Sequence, residues 1–291
     1  MTIQEGYRQL MQRMIIATLV TISILFLPLL AQALTLSGQV KQGGMAVGKV
    51  PQGSTVHFDD KPIRVSPEGV FVIGFSRDAK AKAMLTVHHP SGEIETHPLS
   101  IEQREYRIQR IDGLPERKVT PSKKDLDRIW EDIKLAKKVR QTDDPRTDFT
   151  QSFIWPVTGR ISGVYGSQRI LNGKPKRPHF GIDIAAPTGT PVKAPIDGVV
   201  TMVHNDMFYS GGTLIVDHGH GISTVYMHLH KILVKEGQRV RQKDVIAQVG
   251  ATGRATGPHL HWGMNWFETR LDPSLLVPPM PKPPASAKKS K

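Results

Sequence analysis

The sequence predicts a mainly β protein, built as a small β-rich segment, one connecting helix and a larger all-β segment. Three observations predict it. Turn signals recur at short intervals over 34–114, at Gly43-Gly44, Pro51-Gln52-Gly53, Asp59-Asp60, Pro67-Glu68-Gly69 and Pro90-Ser91-Gly92, with apolar and β-branched runs between them. Helical periodicity appears once, where Leu126, Ile129, Trp130, Ile133 and Ala136 share the spacing of one helix face. From Trp155 to Pro273 it is absent, and short β runs alternate with Gly and Pro turns.

The elements follow in order. Residues 1–33 carry a basic start (Arg8, Arg13), an apolar run over 14–30 and Ala31-Gln32-Ala33, the pattern of a cleaved signal peptide or, if uncleaved, an N-terminal anchor. That run is shorter than a comfortable membrane span of about 20 residues. Residues 34–115 read as a small β-sandwich-like accessory domain, with strands over 70–75 and 83–87 and no catalytic constellation. Within 116–150 lie the helix and a polar linker; Ser122 and Asp125 have the spacing of a capping box. Residues 151–277 form the domain that carries the chemistry, with strands over 199–203, 213–216, 224–227 and 245–249. The Pro- and Lys-rich tail, 278–291, reads as disordered.

Composition narrows the function. Of 291 residues 38% are hydrophobic and 22% charged, which excludes a multispanning membrane protein and a wholly disordered chain. A net charge of +13 favours an anionic partner. Export would make that partner cell-wall material rather than nucleic acid, with membrane contact only through the N-terminal segment. The absence of cysteine excludes disulfides, thiolate metal sites and cysteine nucleophiles.

Eight of the 12 histidines lie between His179 and His261. Residues two or four apart in an extended chain face the same side, so His179 can converge with Asp183, and His259 with His261. Two imidazoles and one carboxylate, with a fourth position left for water, match a catalytic zinc site. Three His-x-His pairs compete for that role: His218/His220, His228/His230 and His259/His261. The first reads as a turn between strands, and His204 as a loop residue; spacing alone does not decide between the other two.

The region over 153–276 resembles the M23 (lysostaphin/LytM-type) family of zinc endopeptidases that cut peptidoglycan. The resemblance is carried by His179-x-x-x-Asp183, Tyr226-x-His228-Leu229 and Gly257-Pro258-His259-Leu260-His261, supported by the run Gly181-Ile182-Asp183-Ile184-Ala185-Ala186-Pro187-Thr188-Gly189-Thr190-Pro191-Val192. It implies an all-β barrel-sandwich fold with a duplicated hybrid motif. It implies zinc held by His179, Asp183 and His261, with His259 and His228 as catalytic histidines that are not ligands. No His-Glu-x-x-His helix is present, so a histidine rather than a glutamate must serve as base. Tyr226 is expected to line the site or the core. Arg169, Lys174 and Arg177, on a long basic loop over 168–178, are expected to grip carboxylates of murein stem peptides. His230 departs from the family pattern and reads as a surface residue. The implied activity is hydrolysis of D-alanyl–diaminopimelate cross-links in a periplasm; the alternative is a non-catalytic murein-binding activator of another hydrolase.

Overall fold

Turn residues cut the first part of the chain into short strands, and the computed structural model, which describes residues 34–281, places them in two small antiparallel sheets. The strands are β1 (Thr35–Gly38), β2 (Met45–Lys49), β3 (Thr55–Phe58), β4 (Lys61–Ile63), β5 (Val70–Gly74), β6 (Lys82–His88) and β7 (Ile94–Ser100). The sheets have the orders β1-β2-β5 and β4-β3-β6-β7. Their inner faces meet at Ala46, Phe71, Ile73, Leu85 and Val87. On β6 the period-two pattern is plain: Ala83, Leu85 and Val87 are buried, while Lys82 and Met84 are exposed.

A short strand β8 (Ile108–Ile111), one turn of helix α1 (Glu116–Val119) and the helix α2 (Lys123–Arg140) follow. The capping box is formed: Asp125 N–H donates to Ser122 Oγ at 3.2 Å, and Ser122 N–H to Asp125 Oδ2 at 3.3 Å. The expected apolar stripe is largely uncovered. Of its members only Ile129 is buried, while Leu126, Ile133 and Trp130 (63% exposed) face outward. Contact is made nearer the end of the helix, where Ala136 of the stripe and Val139 beside it pack on Met202, Met207, Ile215 and Val225 of the large sheet.

The remaining strands are β9 (Arg160–Gly163), β10 (Gln168–Leu171), β11 (Lys174–Pro175), β12 (Ile182–Ala185), β13 (Pro191–Lys193), β14 (Gly198–Met207), β15 (Gly211–Asp217), β16 (Ile222–Leu229), β17 (Lys231–Ile232), β18 (Arg239–Val240), β19 (Val245–Gln248), β20 (His259–Trp266) and β21 (Thr269–Leu271). The large sheet has the order β18-β14-β15-β16-β20-β12-β9, with β21 on β20; the small sheet β13-β19-β17 lies apart from it. One face of the large sheet supplies Leu214, Tyr226, Leu260 and Trp262 to a core shared with Val192 and Ile246 of the small sheet. The opposite face carries α2. The fold is mainly β, as the sequence predicts.

Two stretches differ from expectation. The basic stretch 168–178 is not a long loop, because Asn172-Gly173 makes a tight turn with positive φ at both residues and closes the hairpin β10–β11. β10 then pairs in parallel with β8, so one sheet is shared between segments about sixty residues apart. His204 lies within β14 rather than in a loop, since that strand runs on to Met207. Trp266 packs against Phe58 of the N-terminal sandwich with ring centroids 6.0 Å apart, and Arg104 pairs with the buried Asp272 at 2.9 Å. Among the described residues no helix is long and apolar enough to cross a membrane. The expected signal or anchor (1–33) and residues 282–291 of the tail lie outside the described residues.

Candidate metal centre

Strands β12 and β20 run antiparallel with Asp183 directly opposite His261, and His179 enters just before β12. This register brings three electron-rich atoms together at the end of the sheet. His179 Nε2 is 2.9 Å from His261 Nδ1; Asp183 Oδ1 is 3.0 Å from the first and 2.9 Å from the second. Glycine makes the approach possible: a Cβ on Gly163 would lie 2.3 Å from Asp183 Oδ2, and one on Gly181 2.7 Å from the His261 ring.

The hydrogen bonds around the cluster set its protonation. His179 Nδ1 faces the Val164 carbonyl at 3.1 Å, so that nitrogen carries the proton and Nε2 points its lone pair inward in the neutral ring. Burial works to raise the Asp183 carboxyl, but the bonded imidazoles of His179 and His261 outweigh it and hold it well below the usual carboxylate range. Burial holds the His261 ring down to about 4, against the opposing pull of Asp183. Two lone pairs and a carboxylate at such separations repel unless a cation or a shared proton lies among them. All three groups are buried and converge within 4.8 Å. The donor set of two imidazoles and one carboxylate, with no thiolate, fits a zinc-type divalent ion.

Beyond the cluster stand two more histidines. The His228 and His259 rings are 4.7 Å apart, and His228 is 6.3 Å from His261. Nδ1–H of His228 donates to the Thr252 carbonyl and that of His259 to the Gly257 carbonyl, each at 2.8 Å. Each therefore presents a free lone pair at Nε2 when neutral. Burial, then the neighbouring His259 and His261, pushes His228 down to about 3. His259 Nε2 is 3.9 Å from Asp183 Oδ1, outside bonding range.

Of the other residues singled out from the sequence, Arg177 is exposed and has no ion pair among the described residues. His230 is exposed and His218 and His220 are buried. Lys174 pairs with Glu116 at 2.6 Å. Tyr226 sits in the core with its hydroxyl on Thr224, facing away from the cluster. Its parity with His228 is broken because the pairing with β15 slips between Gly212 and Leu214 and His228 takes φ +63°, which turns its own side chain out of strand alternation. Arg169 does not reach outward: its Nη2 donates to Asp183 Oδ2 at 2.7 Å. That brace on the carboxylate was missed from sequence, since nothing in a 14-residue separation marks it. The space before His228 and His259 is a cavity of about 50 Å³, walled also by Arg254 and by Ile111 and Leu114 of the N-terminal part.

The mainly β fold and the buried His–Asp–His cluster, flanked by two histidines with inward lone pairs, define a candidate metallohydrolase. Comparison with known proteins gives the particular family: the chain belongs to peptidase family M23, whose pattern matches residues 177–273. A solved structure from Pseudomonas aeruginosa assigned to peptidase M23 superposes with a TM-score of 0.64 at 30% identity, over 82% of this chain and 95% of that one. The chain is 48% identical over 105 residues to the peptidoglycan DD-endopeptidase ShyA of Vibrio cholerae, which is 35% of this chain and 24% of that protein. It is 42% identical over 126 residues to the DD-carboxypeptidase/endopeptidase Mpg of Neisseria meningitidis, 43% of this chain and 29% of that protein. The matched part thus spans about a quarter of the length of these curated relatives.

Proposed function

We propose that this chain is an exported, periplasmic zinc endopeptidase that hydrolyses peptide cross-links of peptidoglycan, at D-alanyl–diaminopimelate bonds. The observation that carries the reading is the pairing of a three-donor cluster (His179, Asp183, His261) with two histidines whose tautomers leave Nε2 free on the same side. The names of the relatives supply the substrate class. Zinc held by the three donors would supply a Lewis acid for the scissile carbonyl and for water.

The chain's own groups do the rest. The Val164 carbonyl fixes the His179 tautomer, and Arg169 holds the outer oxygen of Asp183, so Oδ1 stays aimed at the cluster. One of His228 and His259 takes a proton from water at Nε2 and returns it to the departing amine nitrogen as the amide C–N bond breaks. The carbonyls of Thr252 and Gly257 stabilise the imidazolium that exists between those transfers, because each already accepts the Nδ1–H. No glutamate is needed as base.

A second reading rests on the cover that Ile111 and Leu114 place over the small cavity before His228 and His259. A closed site suits a murein-binding protein that activates another hydrolase. One experiment separates the two: zinc-loaded protein is incubated with purified sacculi, and the released muropeptides are identified by mass spectrometry. Loss of cross-linked dimers with free D-alanyl ends supports the peptidase. Sacculi that bind the protein but keep every cross-link support the activator.

A further inference from the structure

A cavity of about 570 Å³ opens between α2 and the outer face of the large sheet. Part of its wall is apolar, formed by Ile129 and Ala136 of α2 and by Met207, Ile215, Val225 and Met227 of the sheet. No residue of the His–Asp–His cluster lines it, but its wall contains their immediate neighbours. Met227 is the register partner of His261 and the chain neighbour of His228, and Ser210, on the wall, accepts the His228 N–H at 2.7 Å.

Five cationic side chains line this space: Arg77, which pairs with Asp78, Lys137 and, from separate elements, Arg140 at the end of α2, Arg177 before His179 and Arg270 on β21. Their counter-charge is thin. Arg140 meets Glu268 at 3.3 Å. Arg270 donates to the neutral Asn265 amide at 2.5 Å and, like Arg177, has no carboxylate partner among the described residues. The other acids on the wall are Asp78, paired with Arg77 at 2.5 Å, and Asp132, which accepts the Phe208 N–H at 2.6 Å and keeps its charge, so three carboxylates face five cations. Burial first, then the positive charge of Arg140 and Arg177, acts against the charge on Arg270, with Glu268 offsetting part of it. Arginine does not release its proton under such pressure. The result is a standing excess of positive charge beside the apolar wall of a cavity of ligand size.

We propose that this cavity is a subsite for a peptide bearing a free carboxylate next to short aliphatic side chains. The carboxylate sits against Arg177 and Arg270 within the field of Arg140, and the methyl groups lie on the Met and Ile walls. The adjoining amide is carried towards His228 and His261. The inference rests on the peptidase reading and names the substrate feature that reading leaves open. Ile129, Ala136 and Arg140 lie outside residues 177–273, so the subsite is built partly by the connecting helix and not by the family-matched stretch alone.

The test is binding by calorimetry on the full, metal-free protein, with acetyl-Ala-Ala-Ala as the free acid and as its C-terminal amide. The acid is expected to bind at least tenfold more tightly, with the difference shrinking as salt rises. Arg177→Gln, an exposed position where folding is safe, and Arg140→Gln should each weaken the acid at least fivefold and leave the amide unchanged. On a soluble cross-linked muropeptide the same variants should raise KM with kcat little altered. Equal binding of acid and amide, failure of both to bind, or an Arg177→Gln protein that binds the acid as wild type does would overturn the subsite. Selective acid binding by a protein that never cleaves murein would uphold the subsite and sink the peptidase reading; cleavage indifferent to the carboxylate would do the reverse.

Discussion

His218 and His261 are both buried in this protein, and burial holds both rings down to about 4. Their surroundings differ in one respect. Nδ1–H of His218 donates to the Asp197 carbonyl at 2.6 Å, and Nε2 accepts from the Thr224 hydroxyl at 2.8 Å, which in turn accepts from Tyr226. Each nitrogen meets a group of opposite role, and the chain of bonds is closed. His261 Nδ1 faces another imidazole nitrogen and a carboxylate, none of which brings a proton of its own. Depth and a depressed proton affinity therefore do not mark a working histidine. What sets His261 apart is a lone pair facing other lone pairs, the arrangement a cation would relieve.

Four substitution experiments and one pH series can break or sharpen that contrast. The largest effect is expected at the cluster. His261→Ala leaves two protein donors where a catalytic site needs three, so bound zinc should fall far below one per chain and activity should vanish. His218→Asn should keep zinc near one per chain; metal analysis showing the opposite pattern would dismantle the comparison. Next come the flanking histidines. His259→Ala and His228→Ala should retain zinc while losing about 10²–10⁴-fold in muropeptide turnover, the usual worth of a positioned acid–base group. Zinc lost from His259→Ala would make it a ligand.

Arg169→Gln should weaken zinc affinity by roughly 10–100-fold, as loss of an outer-shell partner does. Removing a positive charge works the other way, but Asp183 Oδ2 would be left without its charged donor. Competition against a fluorescent chelator measures the sum, and unchanged affinity would mean the brace does not orient the carboxylate.

The pH series concerns His218. Its folded value lies below the unfolded one of about 6.5, so its neutral form supports the fold fully above that pH, and the support is lost as pH falls towards about 4. At pH 5 wild type should have lost about 2 kcal/mol that His218→Asn does not lose. Urea unfolding of both metal-free proteins at pH 7 and pH 5 gives the difference, and parallel losses would show that the buried ring is not the source. The smallest effect is expected at exposed His230: His230→Ala should match wild type in zinc content and turnover and stay within about 0.5 kcal/mol in stability.

Much of this was legible in the chain. Turn spacing disclosed the sandwich, and Ser122 with Asp125 marked the start of α2, because both signals are local. The spacing of His179 to Asp183 and of His259 to His261 already put each pair on one side of a strand. What escaped was non-local or broke periodicity. The left-handed turn of backbone at His228 separates it from Tyr226 by a rule no two-residue spacing can express. The stripe of α2 included Ile129 and Ala136, which do face the sheet, but it also named Leu126, Trp130 and Ile133, which stay exposed, and omitted Val139, because the surface that receives the helix comes from strands over sixty residues away. Arg169 meets Asp183 only after Asn172-Gly173 folds β10 back, so its partner depends on a hairpin read as a loop.

The parallel pairing of β8 with β10 means that the candidate donor cluster is not a self-sufficient package. Arg169 and Arg110 sit on neighbouring strands, Ile170 and Arg110 being register partners, and Leu171 is sealed by Leu114 and Val119. A chain shortened to begin near residue 150 would keep every donor and both flanking histidines. It would also bare the edge of β10 and the side chain of Leu171, an invitation to edge-to-edge association. The strand carrying the brace for Asp183 would have lost its neighbour. Solubility, rather than chemistry, is then the first property such a fragment would forfeit.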